Sequence, residues 1–154
     1  MIVLLLLAAV QAPTMTDQMS GTTARLQAVS PVSEQVVWAS GARGTVVRTL
    51  DGGASWTAMV VPGADSLEFR DIHALSADLA WAMTAGPGPA SRIYRTTDGG
   101  KSWVLQWTNQ EPRAFFDCLS FWDERRGIAI SDGVDGAFVL MATDDGETWR
   151  RVPA

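Results

Sequence analysis

One phrase recurs three times in this chain, and that recurrence limits its folds more than any other feature. "TLDGGASW" occupies 49–56, "TTDGGKSW" occupies 96–103 and "ATDDGETW" occupies 142–149. Their aspartates Asp51, Asp98 and Asp144 stand 47 and then 46 residues apart. The likeness continues upstream, where "LQAVSPVSEQVVWAS" (26–40) aligns with "FRDIHALSADLAWAM" (69–83) and "FFDCLSFWDERRGIAIS" (115–131). In this register Val29, Ile72 and Cys118 correspond, as do Trp38, Trp81 and Gly127. The repeats then run over 25–68, 69–114 and 115–154, after an N-terminal segment at 13–24. A fixed period of this size marks a repeat architecture.

Each repeat reads as β throughout. In the middle copy "RDIHAL", "LAWAMTA", "RIYRT" and "WVLQWT" are four short strands, with "GPGPAS" as a breaker-rich loop between the second and third. No stretch sustains a 3.6-residue apolar period with caps, so helices are expected to be few. Four antiparallel strands in about 46 residues is the anatomy of a propeller blade. The recurring phrase is then the turn between the third and fourth strands. Asp and Ser/Thr side chains bond nearby backbone groups in such turns, and Gly supplies positive φ. A Trp at the start of the fourth strand covers the loop with a large ring.

These turns resemble the Asp-box, or BNR repeat, written S/T-x-D-x-G-x-T/S-W. Thr49, Asp51, Gly53, Ser55 and Trp56 match it in full, as do Thr96, Asp98, Gly100, Ser102 and Trp103. The third copy keeps Asp144, Gly146, Thr148 and Trp149 but has Ala142 in first place, so it is expected to lose one turn-stabilising hydroxyl. Asp-box propellers include sialidases, sortilin-type receptors, reelin-like modules, some glycosidases and the photosystem II stability and assembly factors. "VWASGARGTVVRTLDGGASW" looks most like the last group and its secreted bacterial relatives. The resemblance implies that the boxes lie on the outer rim as scaffold, and that the role is binding or assembly of other proteins rather than catalysis.

Composition narrows the alternatives. A net charge of -5 argues against a nucleic-acid partner, which calls for a basic face. One cysteine, Cys118, forms no internal disulfide, and with one histidine, His73, no thiolate or imidazole metal cluster is available. Cys118 replaces strand aliphatics of the other copies and reads as a buried small hydrophobe. Residues 2–10 are all apolar. Spanning a bilayer takes roughly 20 such residues, so no stable membrane span is expected. The run instead fits a secretory signal over 1–12, cut after Ala12, which implies a periplasmic or extracellular location. A buried N-terminal strand and a mis-set start codon are the alternatives.

The competing class is a carbohydrate-active or glycan-binding propeller. A glycosidase needs two carboxylates about 5 to 9 Å apart across a cleft. Asp71 and Asp117 align on the first strands of adjacent repeats, with Ala28 in that place in the first, and Arg70 adjoins them. First strands line a propeller's axis, so Arg70, Asp71 and Asp117 are the candidate channel residues. The plainer alternative makes them solvated strand ends paired with arginines. Tyr94 is the only tyrosine and leads straight into a box, which suits packing better than a sialidase nucleophile. "SDGVDG" at 131–136 is ordinary hairpin chemistry, so no metal is expected, and nothing in the chain calls for a cofactor.

Propellers are built of about 4 to 8 blades. Three blades expose faces and edges that invite association. The expectation is therefore an all-β segment of three four-stranded blades belonging to a six- or seven-bladed ring, or three-plus-three pairing if the chain is complete. Its partner is expected to be another protein.

Overall fold

The computed structural model describes residues 14–153, so the expected signal segment at 1–12 lies outside the described residues. The first sheet contains β1 (Leu26–Pro31), β2 (Val37–Gly41), β3 (Thr45–Thr49) and β4 (Thr57–Val60), antiparallel and in chain order. The second repeat supplies β5 (Phe69–Ala74), β6 (Ala80–Thr84), β7 (Gly86–Pro87), β8 (Arg92–Thr96) and β9 (Val104–Thr108). Its sheet runs β5-β6-β8-β9. The third repeat supplies β10 (Phe115–Phe121), β11 (Gly127–Val134), β12 (Ala137–Thr143) and β13 (Arg150–Arg151). A single 3-10 turn at Gly88–Ala90 is the only helical element among the described residues.

The third sheet holds five strands, ordered β13-β12-β11-β10-β7, where four were expected. The extra strand comes from the breaker-rich loop of the second repeat, whose Gly86 and Pro87 pair with Phe116 and Phe115. Ser91 fastens it: its hydroxyl donates to the Gly86 carbonyl at 2.5 Å and accepts from the Phe116 amide at 3.2 Å. A loop that looks purely connective thus joins two blades.

Strand register corrects the alignment of the third repeat by one residue. Val29, Ile72 and Leu119 each face an alanine of the second strand: Ala39, Ala82 and Ala129. Leu119, not Cys118, is therefore the equivalent of Val29 and Ile72, and Ile128, not Gly127, stands where Trp38 and Trp81 stand. Successive strand side chains point to opposite faces, so a slip of one residue reverses the assignment. Cys118 is accordingly exposed, against the expectation of burial.

The core lies between the sheets. One cluster packs Trp38 and Val46 of the first sheet against Phe69, Ile72, Ala82 and Tyr94 of the second. The other packs Trp81, Met83 and Ile93 against Phe116, Leu119, Phe121, Ala129 and Met141 of the third. Trp81 and Phe121 stack with centroids 3.7 Å apart. Removing each such large apolar side chain from water contributes about 1.5–3 kcal/mol, so the two junctions dominate the stability of the array.

Candidate functional site: corners, junctions and the inner strands

At the first corner the Thr49 hydroxyl donates to Asp51 Oδ1 at 2.8 Å and accepts from the Gly53 amide at 2.9 Å. Asp51 then accepts from the Ser55 amide (2.9 Å) and the Ser55 hydroxyl (2.5 Å). The second corner repeats this atom for atom with Thr96, Asp98, Gly100 and Ser102. Gly53 and Gly100 sit at φ of 91° and 84°, a region that favours glycine. Hydrogen bonds to the charged form, led by the serine hydroxyl in each case, lower the pKa of Asp51 and of Asp98 to about 2.

The third corner is built from different residues than those expected. Thr143 and Asp145 carry the network: the Thr143 hydroxyl donates to Asp145 at 2.9 Å and accepts from the Gly146 amide at 2.9 Å. The Thr148 hydroxyl donates to Asp145 at 2.6 Å. Asp144 instead forms an exposed ion pair with Arg150 at 2.7 Å. No hydroxyl is lost, because Thr143 replaces Ala142 in the role; the turn is one residue shorter between its Asp and its Gly. Side-chain and backbone donors, the Thr148 hydroxyl first, hold Asp145 well below the usual carboxylate range.

Neighbouring blades are fastened by residues outside the repeated phrase. The Trp38 indole donates to the Ser76 carbonyl at 3.0 Å, and the Trp81 indole donates to the Gly146 carbonyl at 3.1 Å. A guanidinium lies over each ring: Arg48 at 5.1 Å from Trp38, and Arg95 at 5.5 Å from Trp81. Arg48 also donates to Ala77 O, and Arg95 reaches Glu147 at 3.1 Å. Gln106 grips the third corner, donating to the Gly146 carbonyl at 2.9 Å and accepting from the Trp149 indole at 3.2 Å. In the third blade the places of the Trp/Arg pair are held by Ile128 and Ala142.

The inner strands β1, β5 and β10 carry the candidate channel residues. Asp71 is not a free carboxylate: it accepts from the Ile72 amide at 2.8 Å and, across the blade boundary, from the Leu119 amide at 2.7 Å. Ser30 does the same one junction earlier, accepting from the Ala74 amide at 2.9 Å. Burial pushes the Asp71 carboxyl above its ordinary value, opposed by those two amides. Register makes Cys118, rather than Asp117, the equivalent of Asp71. Asp117 occupies the bulge between Phe116 and Cys118, as Arg70 occupies that between Phe69 and Asp71. Arg70 is exposed and lies 5.9 Å above the Phe115 ring, bridging two blades on their inner side.

Of these residues, the repeat pattern points to the corners and the inner-strand candidates but not to Gln106, Arg48 or Arg95. Thr143 and Asp145 do carry a signal, since Thr49, Thr96 and Thr143 stand 47 residues apart in each step. No group of three or more His, Cys, Asp or Glu able to hold a metal ion occurs among the described residues.

Three antiparallel sheets of four to five strands, stacked in chain order through apolar junctions, define a β-propeller segment. It is Ycf48-like in sequence and in fold. The chain is 29% identical to the photosystem II assembly protein Ycf48 of Synechococcus sp. (strain JA-2-3B'a(2-13)), over 75% of this chain and 45% of that protein. It is 32% identical to vacuolar protein sorting/targeting protein 10 of Pyricularia oryzae (strain 70-15), over 75% of this chain and 8% of that protein. The structure of YCF48 bound to D1 peptide superposes with a TM-score of 0.67 at 20% identity, covering 84% of this chain and 41% of that one. YCF48 from Cyanidioschyzon merolae gives 0.64 at 20% identity, covering 84% and 40%. No family model matches. The chain spans less than half the length of these relatives.

Proposed function

We propose that this chain is the working part of a non-catalytic scaffold that holds an extended polypeptide of a partner protein, in a secreted or periplasmic setting. The observation that carries the reading is the likeness to Ycf48, a protein whose structure is known with a D1 peptide bound. The inner strands support it. The carboxylate best placed for acid–base work, Asp71, is committed as an acceptor to two backbone amides. Exposed Arg70 over the half-buried Phe115 ring offers a cation beside a ring, a contact suited to a peptide carboxylate and its neighbouring side chain. The corners, closed on themselves, set the rim of the scaffold in the manner of an Asp-box.

Titration of a fluorescently labelled D1 peptide, followed by anisotropy, tests the reading. Saturable binding that weakens in an Arg70→Ala variant is expected. Anisotropy that stays flat for the folded chain sinks it. The location is tested separately, by N-terminal sequencing of protein recovered from the periplasm: a mature end just after Ala12 is expected.

A further inference from the structure

A cleft of about 190 Å³ lies where the second sheet meets the third, beside the loop at 109–114. Phe116, Val139 and Met141 line it from the third sheet, all buried, and the half-buried Trp107 of β9 lines it from the second. The Trp107 and Phe116 rings meet edge-on, with centroids 4.9 Å apart. Asn109 stiffens the loop from within, donating to the Glu111 and Ala114 carbonyls at 3.0 and 2.8 Å and accepting from the Glu111 amide at 2.9 Å. The border of the cleft is therefore set before anything enters it.

Register shows what is particular to this junction. Tyr94 faces Ala82 as Met141 faces Ala129, so the two are counterparts. The Tyr94 ring is buried edge-on to Phe69 in the first junction, with centroids 5.7 Å apart, and Met141 brings no ring to that place. Arg151 of β13 faces Met141, and cross-strand neighbours share a face, which sets this exposed residue at the mouth. Ala58 and Leu105 hold the same position in the other two blades. Arg151 makes no ion pair among the described residues. Glu111, also at the mouth, meets Arg113 only through Oε1, 3.4 Å from its amide and 3.8 Å from its guanidinium. Its Oε2 is uncommitted among the described residues.

We infer that this cleft is a binding site for a free apolar amino acid of leucine's size. The side chain enters between Trp107 and Met141, the carboxylate meets Arg151 and the ammonium meets Glu111. Size, depth and charge all point this way. Drug-sized ligands occupy pockets of roughly 300–1,000 Å³, so this smaller one takes a single residue. Its depth is apolar, where an unpaired charge is costly, so the charged groups stay at the mouth. The mouth offers one cation and one anion, the complement of a zwitterion, and charge-assisted hydrogen bonds are the strong ones. Arg70 does not line the cleft, so the site stands apart from the peptide-holding reading.

Titration of the purified chain with L-leucine tests this, read by NMR at the Trp107 indole N–H and the Met141 methyl. Saturable shifts in the millimolar range are expected of so small a ligand. N-acetyl-leucine lacks the ammonium and leucinamide lacks the carboxylate, and each is expected to bind at least about tenfold more weakly. Arg151→Gln and Glu111→Gln, both at the mouth, are expected to weaken L-leucine to the same degree. Met141→Tyr, which copies the first junction, is expected to abolish the Trp107 shift with an unchanged circular-dichroism spectrum. The mouth variants carry the test if the added ring disturbs folding. Resonances that L-leucine leaves unmoved overturn the inference. So does N-acetyl-leucine binding as tightly as the free amino acid, which would make the ligand the end of a polypeptide. L-aspartate binding as well as L-leucine overturns it too, because the cleft would then be reading charge alone.

Discussion

Gln18 and Gln106 hold their respective corners with the same two atoms. Gln106 donates to Gly146 O and accepts from the Trp149 indole; Gln18, in the segment before the first sheet, donates to Gly52 O at 3.5 Å and accepts from the Trp56 indole at 3.0 Å. Among the described residues, the middle corner has no such clamp. Met59 lies over Gly100 there, and Trp103 Nε1 is buried without a partner.

An unpaired buried donor costs about 1–3 kcal/mol, and a new hydrogen bond contributes about 1 kcal/mol. Met59→Gln is therefore expected to raise stability by about 1 kcal/mol, and Gln106→Met to lower it by about 1–2 kcal/mol. Urea unfolding followed by tryptophan fluorescence checks both. A Met59→Gln variant less stable than the parent would show that the thioether's packing outweighs the missing bond.

The third corner separates two adjacent aspartates. Asp145→Ala removes the acceptor of one side-chain hydroxyl at each end of the turn and is expected to lower the denaturation midpoint. Asp144→Ala removes one exposed ion pair and is expected to leave it unchanged. The reverse order would restore the register read from the aligned phrases.

Acid should weaken the corners in a defined window. Asp51 and Asp98 have folded pKa values of about 2 against an ordinary 3.8. Depressed folded values mean that their contribution is present above about pH 4 and is lost as pH falls through about 2. Asp98→Asn, which cannot ionise, is expected to flatten this part of the stability curve, measured as melting temperature against pH.

Asp71 works in the opposite sense. Its folded pKa is raised, so the folded state takes up a proton before the unfolded state does, and this group's contribution falls as pH rises through its pKa. Asp71→Asn keeps an acceptor without the buried charge and is expected to be tolerated at neutral pH. Asp71→Ala leaves the Leu119 amide without its cross-blade partner, at a cost of about 1–3 kcal/mol. Thermal unfolding of the two variants at pH 7 distinguishes them.

Most of the fold is legible in the chain because the corner chemistry is local: Thr49, Asp51, Gly53 and Ser55 all meet within a few residues. The third repeat misleads for a physical reason. Its turn has dropped a residue between Asp145 and Gly146, so alignment anchored on Gly146 and Trp149 shifts everything before it by one. In a strand that shift exchanges the two faces, which moved Cys118 inward and put Gly127 in the tryptophan place. The junction partners stay hidden for another reason. Ser76, Gly146 and Ala77 are met through their carbonyls, which any residue supplies. Gln18 lies outside the repeats, with no pattern to mark it.

The self-contained corners bear on how such a chain can grow. A duplicated unit would inherit its bend complete, since no atom outside the turn is needed to close the Thr–Asp–Ser circuit. It would not inherit a place for its indole, which depends on the preceding unit offering Gln106 or tolerating Met59. The number of units an array can accumulate is therefore governed by the compatibility of neighbours, while the bends themselves are copied freely.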